Sequence, residues 1–395
     1  MDAAEQLEIL TRNAAEVVPV AELEAKLRTG RPLRVKHGVD PTAPHVHLGW
    51  SVPLRKLRRF QELGHTAVLV IGDFTARIGD PSGQDKTRPM LSKDEVDRFA
   101  RAVLGEIETI LLPERLEIRP NSEWLEALGT QGVLELASEY TVARTLERDD
   151  FAKRFAEESP ITVREFLYPL LQAYDSVAVR ADVEIGGTDQ HFTFMVARHI
   201  QRSYGQEPQV VMTFPLLEGT DGVKKMSQSL GNYIGITEPP HDMFGKLMRV
   251  PDELMVKYFR LVTDLAPDEV ERLAAELEAG ALRPEEAKRR LAGTVVAMYH
   301  GTDAAVEART NFDRVFREHR PPTDIPTCII EGDPVHLPKL IAELLGRSTS
   351  WARRQIEQGG VHLDGETVEA FELPADRLAG RVLRIGKRHF FRPER

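Results

Sequence analysis

Residues 33–71 read LRVKHGVDPTAPHVHLGWSVPLRKLRRFQELGHTAVLVI, and this stretch decides the fold class. Apolar residues alternate over residues 33–39 and stop before Pro41, as in a strand that enters a turn. Residues 48–63 then carry apolar side chains at helical spacing. Residues 67–71 (AVLVI) form a short apolar run, which is typical of a buried parallel strand. A strand, a helix and a second strand of this kind predict a βαβ unit and a parallel sheet.

The rest of the chain divides by composition into further regions. A length of 395 residues suggests two or three domains. Strand-like and helix-like stretches alternate over residues 1–236, which predicts an α/β domain. Residues 237–325 are rich in Glu, Ala, Leu and Arg and predict an α-helical domain. A proline-rich stretch predicts a linker at residues 326–336, which leaves residues 337–395 as a small C-terminal domain.

Composition excludes several classes of protein. Hydrophobic residues make up 42% and charged residues 29%, which is ordinary for a globular protein. A net charge of −10 excludes a generally basic nucleic-acid coat protein, and the single Cys328 excludes a disulfide framework or a Cys-based zinc site. The acidic start is unlike a secretory signal, and no apolar run approaches the roughly 18 residues of a membrane span. We therefore expect a cytoplasmic protein with no membrane contact and no dedicated metal site.

Two segments carry residue types that suit a nucleotide triphosphate. In residues 38–50 (GVDPTAPHVHLGW) a strand ends and a helix begins, and the free N–H groups at a helix start favour an anion. Residues 219–232 (GTDGVKKMSQSLGN) place lysines and serines between glycines, as in a mobile loop that closes on phosphates. Taken singly, the first segment is equally compatible with an ordinary turn, and the second with a solvated charged loop.

A third segment, EFLYPLLQAYD at residues 165–175, predicts a polar ligand site on a helix. Tyr168, Gln172 and Asp175 are four and three residues apart, so they share one helix face. Their apolar surroundings predict that this face is buried, and buried polar groups need partners. Either a small polar ligand supplies those partners, or the three side chains satisfy one another.

Together and in this order, the first two segments resemble the HIGH and KMSKS signatures of class I aminoacyl-tRNA synthetases. GGTDQ at residues 186–190 resembles the tyrosyl and tryptophanyl subfamily, and the spacing of Tyr168, Gln172 and Asp175 resembles the bacterial tyrosyl-tRNA synthetases. The resemblance extends along nearly the whole chain. It implies an α/β fold: a Rossmann-like parallel-sheet catalytic domain, an α-helical anticodon-stem-binding domain and a small α+β RNA-binding domain.

The resemblance also implies a reaction in two steps. The carboxylate of L-tyrosine attacks the α-phosphate of ATP, which gives tyrosyl-adenylate and pyrophosphate, and the tyrosyl group then passes to the 3′ end of tRNA(Tyr). The expected ligands are therefore ATP with its Mg²⁺, L-tyrosine and tRNA(Tyr), and the expected assembly is a homodimer.

The site residues that the resemblance implies fall into three groups. Catalytic contacts with the triphosphate and pyrophosphate are expected from Thr42, His47, Arg88, Lys225 and Ser229. Contacts with the rest of ATP are expected from His47, Gly49, Gly187, Asp189 and Lys225. Tyrosine is expected to contact Asp40, Asp80, Tyr168, Gln172, Asp175 and Gln190. Within this last group, Asp175 is expected to accept the hydrogen bond of the phenol.

Three positions depart from the family pattern. Trp50 replaces the second histidine of HIGH, and Gln228 replaces the second lysine of KMSKS. These departures keep open a second hypothesis, a synthetase-derived RNA-binding or regulatory protein with weakened catalysis. The shared GGTDQ pattern keeps open a third, a tryptophan–tRNA ligase. Lys36 stands where some relatives place a tyrosine against the substrate phenol.

The C-terminal region is basic in an acidic chain. Residues 335–395 hold 11 Lys and Arg against 8 Asp and Glu. Residues 337–395 resemble the alpha-L RNA-binding motif, with two helices expected to carry Lys339, Arg347, Arg353 and Arg354, and with Lys387 and Arg388 closing the unit. Cations along such elements can follow a phosphate backbone. The alternative is a solvated basic surface without a partner.

Overall fold

A computed structural model describes residues 1–80, 91–318, 320–322, 325–386 and 389–395. Within these ranges the chain forms two compact units. The first comprises residues 1–239 and 246–299, and the second comprises residues 240–245 and 300–395. The helical stretch that composition sets apart at residues 237–325 is therefore shared between the two units, and the domain boundaries given above stay a prediction.

A six-stranded sheet forms the centre of the first unit. Its strands are β1 (Glu16–Val18), β2 (Arg34–Val39), β3 (Thr66–Ile71), β4 (Leu116–Pro120), β5 (Val183–Gly187) and β6 (Val210–Phe214). Their order across the sheet is β1-β6-β5-β2-β3-β4. All neighbours are parallel except β1, which is antiparallel to β6. The predicted parallel sheet is confirmed.

Helices follow the strands along the chain. Those that begin before residue 300 are α1 (Ala3–Thr11), α2 (Val20–Arg28), α3 (Leu48–Glu62), α4 (Thr75–Ile78), α5 (Lys93–Ile107), α6 (Ser122–Ser138), α7 (Val142–Thr145), α8 (Asp149–Ala156), α9 (Val163–Val179), α10 (His191–Ser203), α11 (Pro240–Leu247), α12 (Met255–Val262), α13 (Pro267–Glu278) and α14 (Pro284–His300). Of these, α11 begins in the second unit, and the others begin in the first. Two short 3-10 helices span Thr188–Gln190 and Asp252–Leu254.

The helix α9 carries much of the predicted site, and its ends are set by its sequence. At the N-terminus, Thr162 and Glu165 form a reciprocal capping box, in which the Glu165 carboxylate accepts from the Thr162 backbone N–H at 2.9 Å. At the C-terminus, Arg180 adopts the left-handed conformation that commonly ends a helix. One apolar side of α9, with Leu170 and Leu171, packs into a buried cluster with residues of α6 and α10. The side chains of Tyr168, Gln172 and Asp175 contact other residues of the site.

The second unit contains the C-terminal elements. They are α15 (Thr302–Phe316), β7 (Thr327–Ile329), β8 (Val335–His336), α16 (Leu337–Leu345), α17 (Thr349–Glu357), β9 (Val361–Leu363), β10 (Glu366–Thr367), β11 (Glu372–Leu373), α18 (Ala375–Leu378), β12 (Leu383–Ile385) and β13 (His389–Glu394). Five strands form one sheet in the order β10-β9-β12-β13-β7, and β11 pairs with β8. The helices α16 and α17 share a buried apolar cluster with β9 and β12.

Two features of this unit differ from the sequence-based expectation. Residues 326–336, predicted as a linker, contain β7 and β8, because β7 pairs with β13 at the far end of the chain. Arg347 was expected on a helix but lies between α16 and α17. The reason is that Gly346, with φ of 59°, ends α16 and Ser348 caps α17 two residues later, which leaves only Arg347 between the two caps.

No helix in the described ranges is long and apolar enough to cross a membrane.

Candidate active site at the carboxyl ends of the strands

The predicted site residues meet at one edge of the six-stranded sheet. Asp40 follows β2, Gly72 follows β3, and Gly187 ends β5. Because these three strands are parallel neighbours, their carboxyl ends open into the same crevice, which is where open α/β sheets bind ligands. The helix α9 and the 3-10 turn at Thr188–Gln190 bring the remaining side chains to this edge.

Asp40 lies at the centre of the first group of contacts. Thr75 donates to its Oδ1 at 2.7 Å, and the Tyr168 hydroxyl donates to its Oδ2 at 2.9 Å. A side chain at Gly72 would collide with this arrangement, since a Cβ there would lie 1.9 Å from Asp40 Oδ1. Burial raises the pKa of Asp40 to about 7, although the Thr75 hydrogen bond opposes the rise. A cationic ligand group beside Asp40 would favour its ionised form.

Asp175 lies on α9 and is buried. The Trp124 indole donates to Asp175 Oδ1 at 2.8 Å, and the Asn121 amide donates to Oδ2 at 3.3 Å. Burial raises the pKa of Asp175 to about 6. At neutral pH the carboxylate is therefore mostly ionised, and its oxygens retain capacity to accept one more hydrogen bond.

Asn121 and Trp124 are site residues that the sequence reasoning missed. Asn121 directly follows β4, and its amide also donates to Thr75 Oγ1 at 3.0 Å. Asn121 therefore joins the contacts around Asp40 to those around Asp175. Asn121 could have been found from the sequence as a polar residue directly after a strand of a parallel sheet. However, β4 is short and only partly buried, so its apolar pattern is too weak to predict the strand.

Asp80, Gln172 and Gln190 form a second chain of contacts. The Gln190 amide donates to Asp80 Oδ2 at 3.0 Å, and the Gln172 amide lies 3.4 Å from Gln190 Oε1. Gln172 Oε1 is buried and has no hydrogen-bond partner among the described residues. An acceptor in this state favours a ligand with a strong donor, such as an ammonium group.

His47 is the buried residue directly before α3. Burial lowers its pKa to about 4, with a further contribution from the Lys225 charge, so the imidazole is neutral at pH 7. Its Nδ1 is buried without a hydrogen-bond partner in the described part of the chain. Gly49 leaves space beside the ring, since a Cβ there would lie 3.0 Å from His47 Nδ1. Trp50 packs near the same ring, with centroids 5.4 Å apart.

The KMSQS loop lies against the segment that contains His47. Its Gln228 amide donates to the His45 carbonyl oxygen at 2.6 Å, and the Gly49 N–H points to the Met226 sulfur at 3.4 Å. Lys225 Nζ forms an ion pair with Asp189 Oδ2 at 2.8 Å. The two segments that the sequence separates by about 175 residues are therefore in direct contact.

The remaining predicted site residues are Thr42, Ser229, Gly187 and Arg88. Thr42 is partly buried, and its backbone N–H donates to the Asp40 carbonyl at 2.8 Å. Ser229 is exposed and lies 2.9 Å from Ser227 through the two hydroxyl oxygens. Gly187 has no room for a side chain, since a Cβ would lie 2.7 Å from Asp189 Oδ1. Arg88 lies outside the described residues.

The residues predicted to contact RNA lie in the second unit. Lys339, Arg347, Arg353 and Arg354 are all exposed. The Arg353 guanidinium also stacks over the Phe371 ring, with 5.2 Å between its central carbon and the ring centroid. Lys387 and Arg388 lie outside the described residues.

The crevice can bind two different groups side by side. One half offers carboxylates and amides to a small molecule with an ammonium group and a hydroxyl, and the other offers a neutral histidine, a lysine and close-approach glycines to a nucleotide. The described residues contain no group of three or more His, Cys, Asp or Glu side chains that could hold a metal ion.

Known proteins with the same sequence pattern are synthetases. The family model described as tRNA synthetases class I (W and Y) matches residues 28–317. A tyrosine–tRNA ligase of Moorella thermoacetica is 52% identical over 396 residues, which cover 99% of this chain and 96% of that protein. A tyrosine–tRNA ligase of Thermotoga maritima is 49% identical, with 99% and 98% covered.

Solved structures show the same fold. A tyrosyl-tRNA synthetase from Archaeoglobus fulgidus, complexed with L-tyrosine, aligns with a TM-score of 0.63 at 25% identity and covers 78% of this chain and 100% of that chain. A C-terminally truncated mitochondrial tyrosyl-tRNA synthetase from Aspergillus nidulans has a TM-score of 0.65 at 21% identity, with 80% and 94% covered. From the match over residues 28–317 and the identity along nearly the whole chain, this protein belongs to the class I tRNA synthetases of the tryptophan and tyrosine family.

Proposed function

We propose that this protein is a tyrosine–tRNA ligase that forms tyrosyl-adenylate from L-tyrosine and ATP and then charges tRNA(Tyr). Among the possible amino acids, tyrosine is favoured by the buried Asp175, which accepts hydrogen bonds from Trp124 and Asn121. Asp175 lies on the same helix face as Gln172, whose free oxygen suits an ammonium group. An amino acid with a hydroxyl at its far end matches both groups, whereas an indole N–H reaches less far and phenylalanine leaves Asp175 unpaired.

In this proposal, the amino-acid half of the crevice works by positioning. Asp80, Tyr168 and Gln172 hold the ammonium, and Asp175 accepts from the phenol O–H. Gln190, which donates to Asp80 in this structure, lies beside the tyrosine carboxylate. The Tyr168 hydroxyl already donates to Asp40, so its lone pairs are free to accept from the ammonium. Fixing both ends of the substrate directs its carboxylate toward the α-phosphate and lowers the entropic part of the barrier.

The nucleotide half binds ATP through charged side chains and through glycines that let the nucleotide approach the backbone closely. Lys225 leaves Asp189 to contact the phosphates, and the freed Asp189 carboxylate accepts from a ribose hydroxyl. Neutral His47 donates a hydrogen bond to the triphosphate without adding a charge, while Gly49 and Gly187 let the flat parts of the nucleotide approach the backbone. Thr42, Ser229 and Arg88 complete the contacts with the leaving pyrophosphate. These groups stabilise the charge that develops in the transition state.

Mg²⁺ accompanies ATP in this proposal and neutralises phosphate charge. Because Mg²⁺ prefers phosphate oxygens and water as ligands, the proposal assigns the ion to the ATP phosphates and to no protein site of its own. A cytoplasmic location is proposed because tRNA and its partners are found there.

Two other functions remain less well supported. A tryptophan–tRNA ligase shares the family model, but a buried carboxylate at the position of Asp175 does not suit an indole. A non-catalytic RNA-binding descendant would be favoured by Trp50 and Gln228, but it has no need of the connected contacts among Asp40, Tyr168 and Thr75.

The first test is amino-acid activation by the whole protein. We expect ATP–pyrophosphate exchange with tyrosine and little with tryptophan or phenylalanine. Asp175→Asn should lower kcat/KM for tyrosine by about 10- to 100-fold, since it weakens a hydrogen bond to a charged group. The variant Glu123→Gln changes an exposed residue next to Trp124 on α6 and should match wild type. Exchange with tryptophan only, or no exchange at all, would replace the proposal by one of its two alternatives.

The second test concerns the altered loop. Gln228→Lys adds a cation beside the nucleotide half, and we expect single-turnover adenylate formation to rise by about tenfold at saturating substrates. Gln228→Met is the matched control, because it removes the hydrogen bond to the His45 carbonyl without adding charge. If the lysine variant is no faster than wild type, another group already supplies the missing charge.

The third test concerns the C-terminal unit. We propose that Lys339, Arg347, Arg353 and Arg354, together with Lys387 and Arg388, bind tRNA. The double variant Lys339→Glu/Arg354→Glu should weaken tRNA binding, reduce its salt slope by about two and leave pyrophosphate exchange unchanged. Arg12→Glu/Arg28→Glu makes the same charge change in the first unit and serves as the control. Equal tRNA charging by both double variants would mean that the basic surface has been assigned wrongly.

The fourth test concerns assembly. We propose a homodimer, because Leu134, Val142, Phe155 and Val163 are apolar and 60–76% exposed within one 30-residue stretch. Phe155→Asp should shift sedimentation at micromolar concentration from dimer toward monomer. Val306→Asp is the control, since Val306 is 61% exposed in the second unit. A monomeric wild-type protein would contradict the proposal.

A further inference from the structure

Lys36 and Glu184 form an ion pair beneath the site. They are partners in register on the adjacent strands β2 and β5, and Lys36 Nζ lies 2.8 Å from Glu184 Oε1. Their side chains are 0% and 1% exposed. A buried ion pair contributes little net stability, because removing two charges from water offsets most of their attraction. No step of the proposed reaction uses either residue, so the pair needs another explanation.

The remaining contacts of Lys36 all lead to α9. Its Nζ donates to the Gln172 carbonyl oxygen at 3.0 Å and to the Ser176 hydroxyl at 2.8 Å. These two residues are one helical turn apart, and Asp175 lies between them. Lys36 therefore fastens to the sheet the one turn of α9 that carries both Gln172 and Asp175.

Glu184 is also held on more than one side. The Ser176 hydroxyl lies 3.3 Å from Glu184 Oε2, and the Gln209 amide donates to the same oxygen. Ser176 and Gln209 are both fully buried. These contacts and the ion pair hold the Glu184 carboxylate next to Lys36 Nζ.

We propose that Lys36 and Glu184 are positioning residues that set the specificity of the tyrosine site. Lys36 fixes the α9 turn and places a positive charge behind Asp175, and Glu184 limits the reach of that charge. This inference rests on the proposed function, since it assigns to Asp175 the recognition of the substrate phenol. The contacts of both side chains are with other protein groups, so the proposal assigns neither of them a contact with the substrate.

The charges around Asp175 predict in which direction each substitution shifts the pKa of this carboxyl, and that direction can be measured. Asp175 faces the neutral donors Trp124 of α6 and Asn121, which lies between β4 and α6, together with the cation Lys36 of β2 and the anion Glu184 of β5. Burial raises the pKa of Asp175, the Lys36 charge opposes the rise, and the Glu184 charge adds to it. Asp40 is a further carboxyl group of the same crevice, and burial, with a smaller contribution from the Asp175 charge, raises its pKa to about 7.

Phenol recognition needs the ionised form of Asp175, so discrimination against phenylalanine should increase as pH rises through the pKa of this carboxyl. Removing the Lys36 charge raises that pKa and moves the change to higher pH. Removing the Glu184 charge lowers it and moves the change to lower pH. Opposite shifts are expected only if both charges act on Asp175, whereas a loss of stability alone would leave the midpoint where it is.

The experiment uses the full chain and measures two quantities between pH 5 and pH 9. They are the KM of tyrosine in pyrophosphate exchange and the inhibition constant of phenylalanine as a competing amino acid. Their ratio reports the phenol contact, because titration of Asp40 affects both amino acids. We expect the midpoint of the ratio to rise by about one pH unit in Lys36→Met and to fall in Glu184→Gln. In Lys36→Met/Glu184→Gln it should return toward the wild-type value.

Each outcome decides the matter. If Lys36→Met and Glu184→Gln both lower activity and leave the midpoint unchanged, the pair is only structural and the proposal is wrong. If Lys36→Met fails to fold because Glu184 is left unpaired, Glu184→Gln alone still tests the sign, and an unmoved midpoint overturns the proposal. A wild-type protein that does not exchange pyrophosphate with tyrosine instead refutes the proposed function, which distinguishes the two failures.

Discussion

Parallel pairing of β2 with β3 on one side and β5 on the other is the constraint on which the site depends. It brings Asp40, Gly72 and Gly187 to one edge, although the last is almost 150 residues from the first. The same pairing places Lys36 of β2 directly opposite Glu184 of β5. A slip of one residue between β2 and β5 would turn these side chains to the opposite face and separate both sets of contacts.

The site holds polar groups within an apolar core, and hydrogen bonds join these groups to one another. Asp40 and Asp175 both have raised pKa values because burial disfavours their charged forms. Thr75 and Asn121 connect the two carboxyls through hydrogen bonds, so neither can move alone. A network of this kind specifies one arrangement more strongly than it stabilises the fold. The apolar faces of the sheet and helices must supply the stability that the site does not.

Local patterns in the sequence predicted much of this arrangement, and long-range contacts account for the rest. The strands β2 and β3 and the helix between them lie within two residues of the predicted bounds, since alternation and helical spacing are local properties. The shared face of Tyr168, Gln172 and Asp175 follows from residue spacing alone. By contrast, Trp124 reaches Asp175 across 51 positions, which no local pattern records. Arg347 was misplaced because one glycine ends a helix that its neighbours would continue.

The ion pair between Lys225 and Asp189 has a consequence for how the nucleotide enters. The two groups neutralise each other, so the crevice does not present an isolated Lys225 cation and an isolated Asp189 anion to solvent. Both side chains are partly exposed, at 37% and 22%, and such pairs are worth no more than about 1 kcal/mol. If Lys225 and Asp189 bind phosphate and ribose as proposed, giving up their mutual contact costs no more than about 1 kcal/mol. In the proposed function, the same pairing keeps the Lys225 cation from attracting unrelated anions until a nucleotide offers both charges a partner at once.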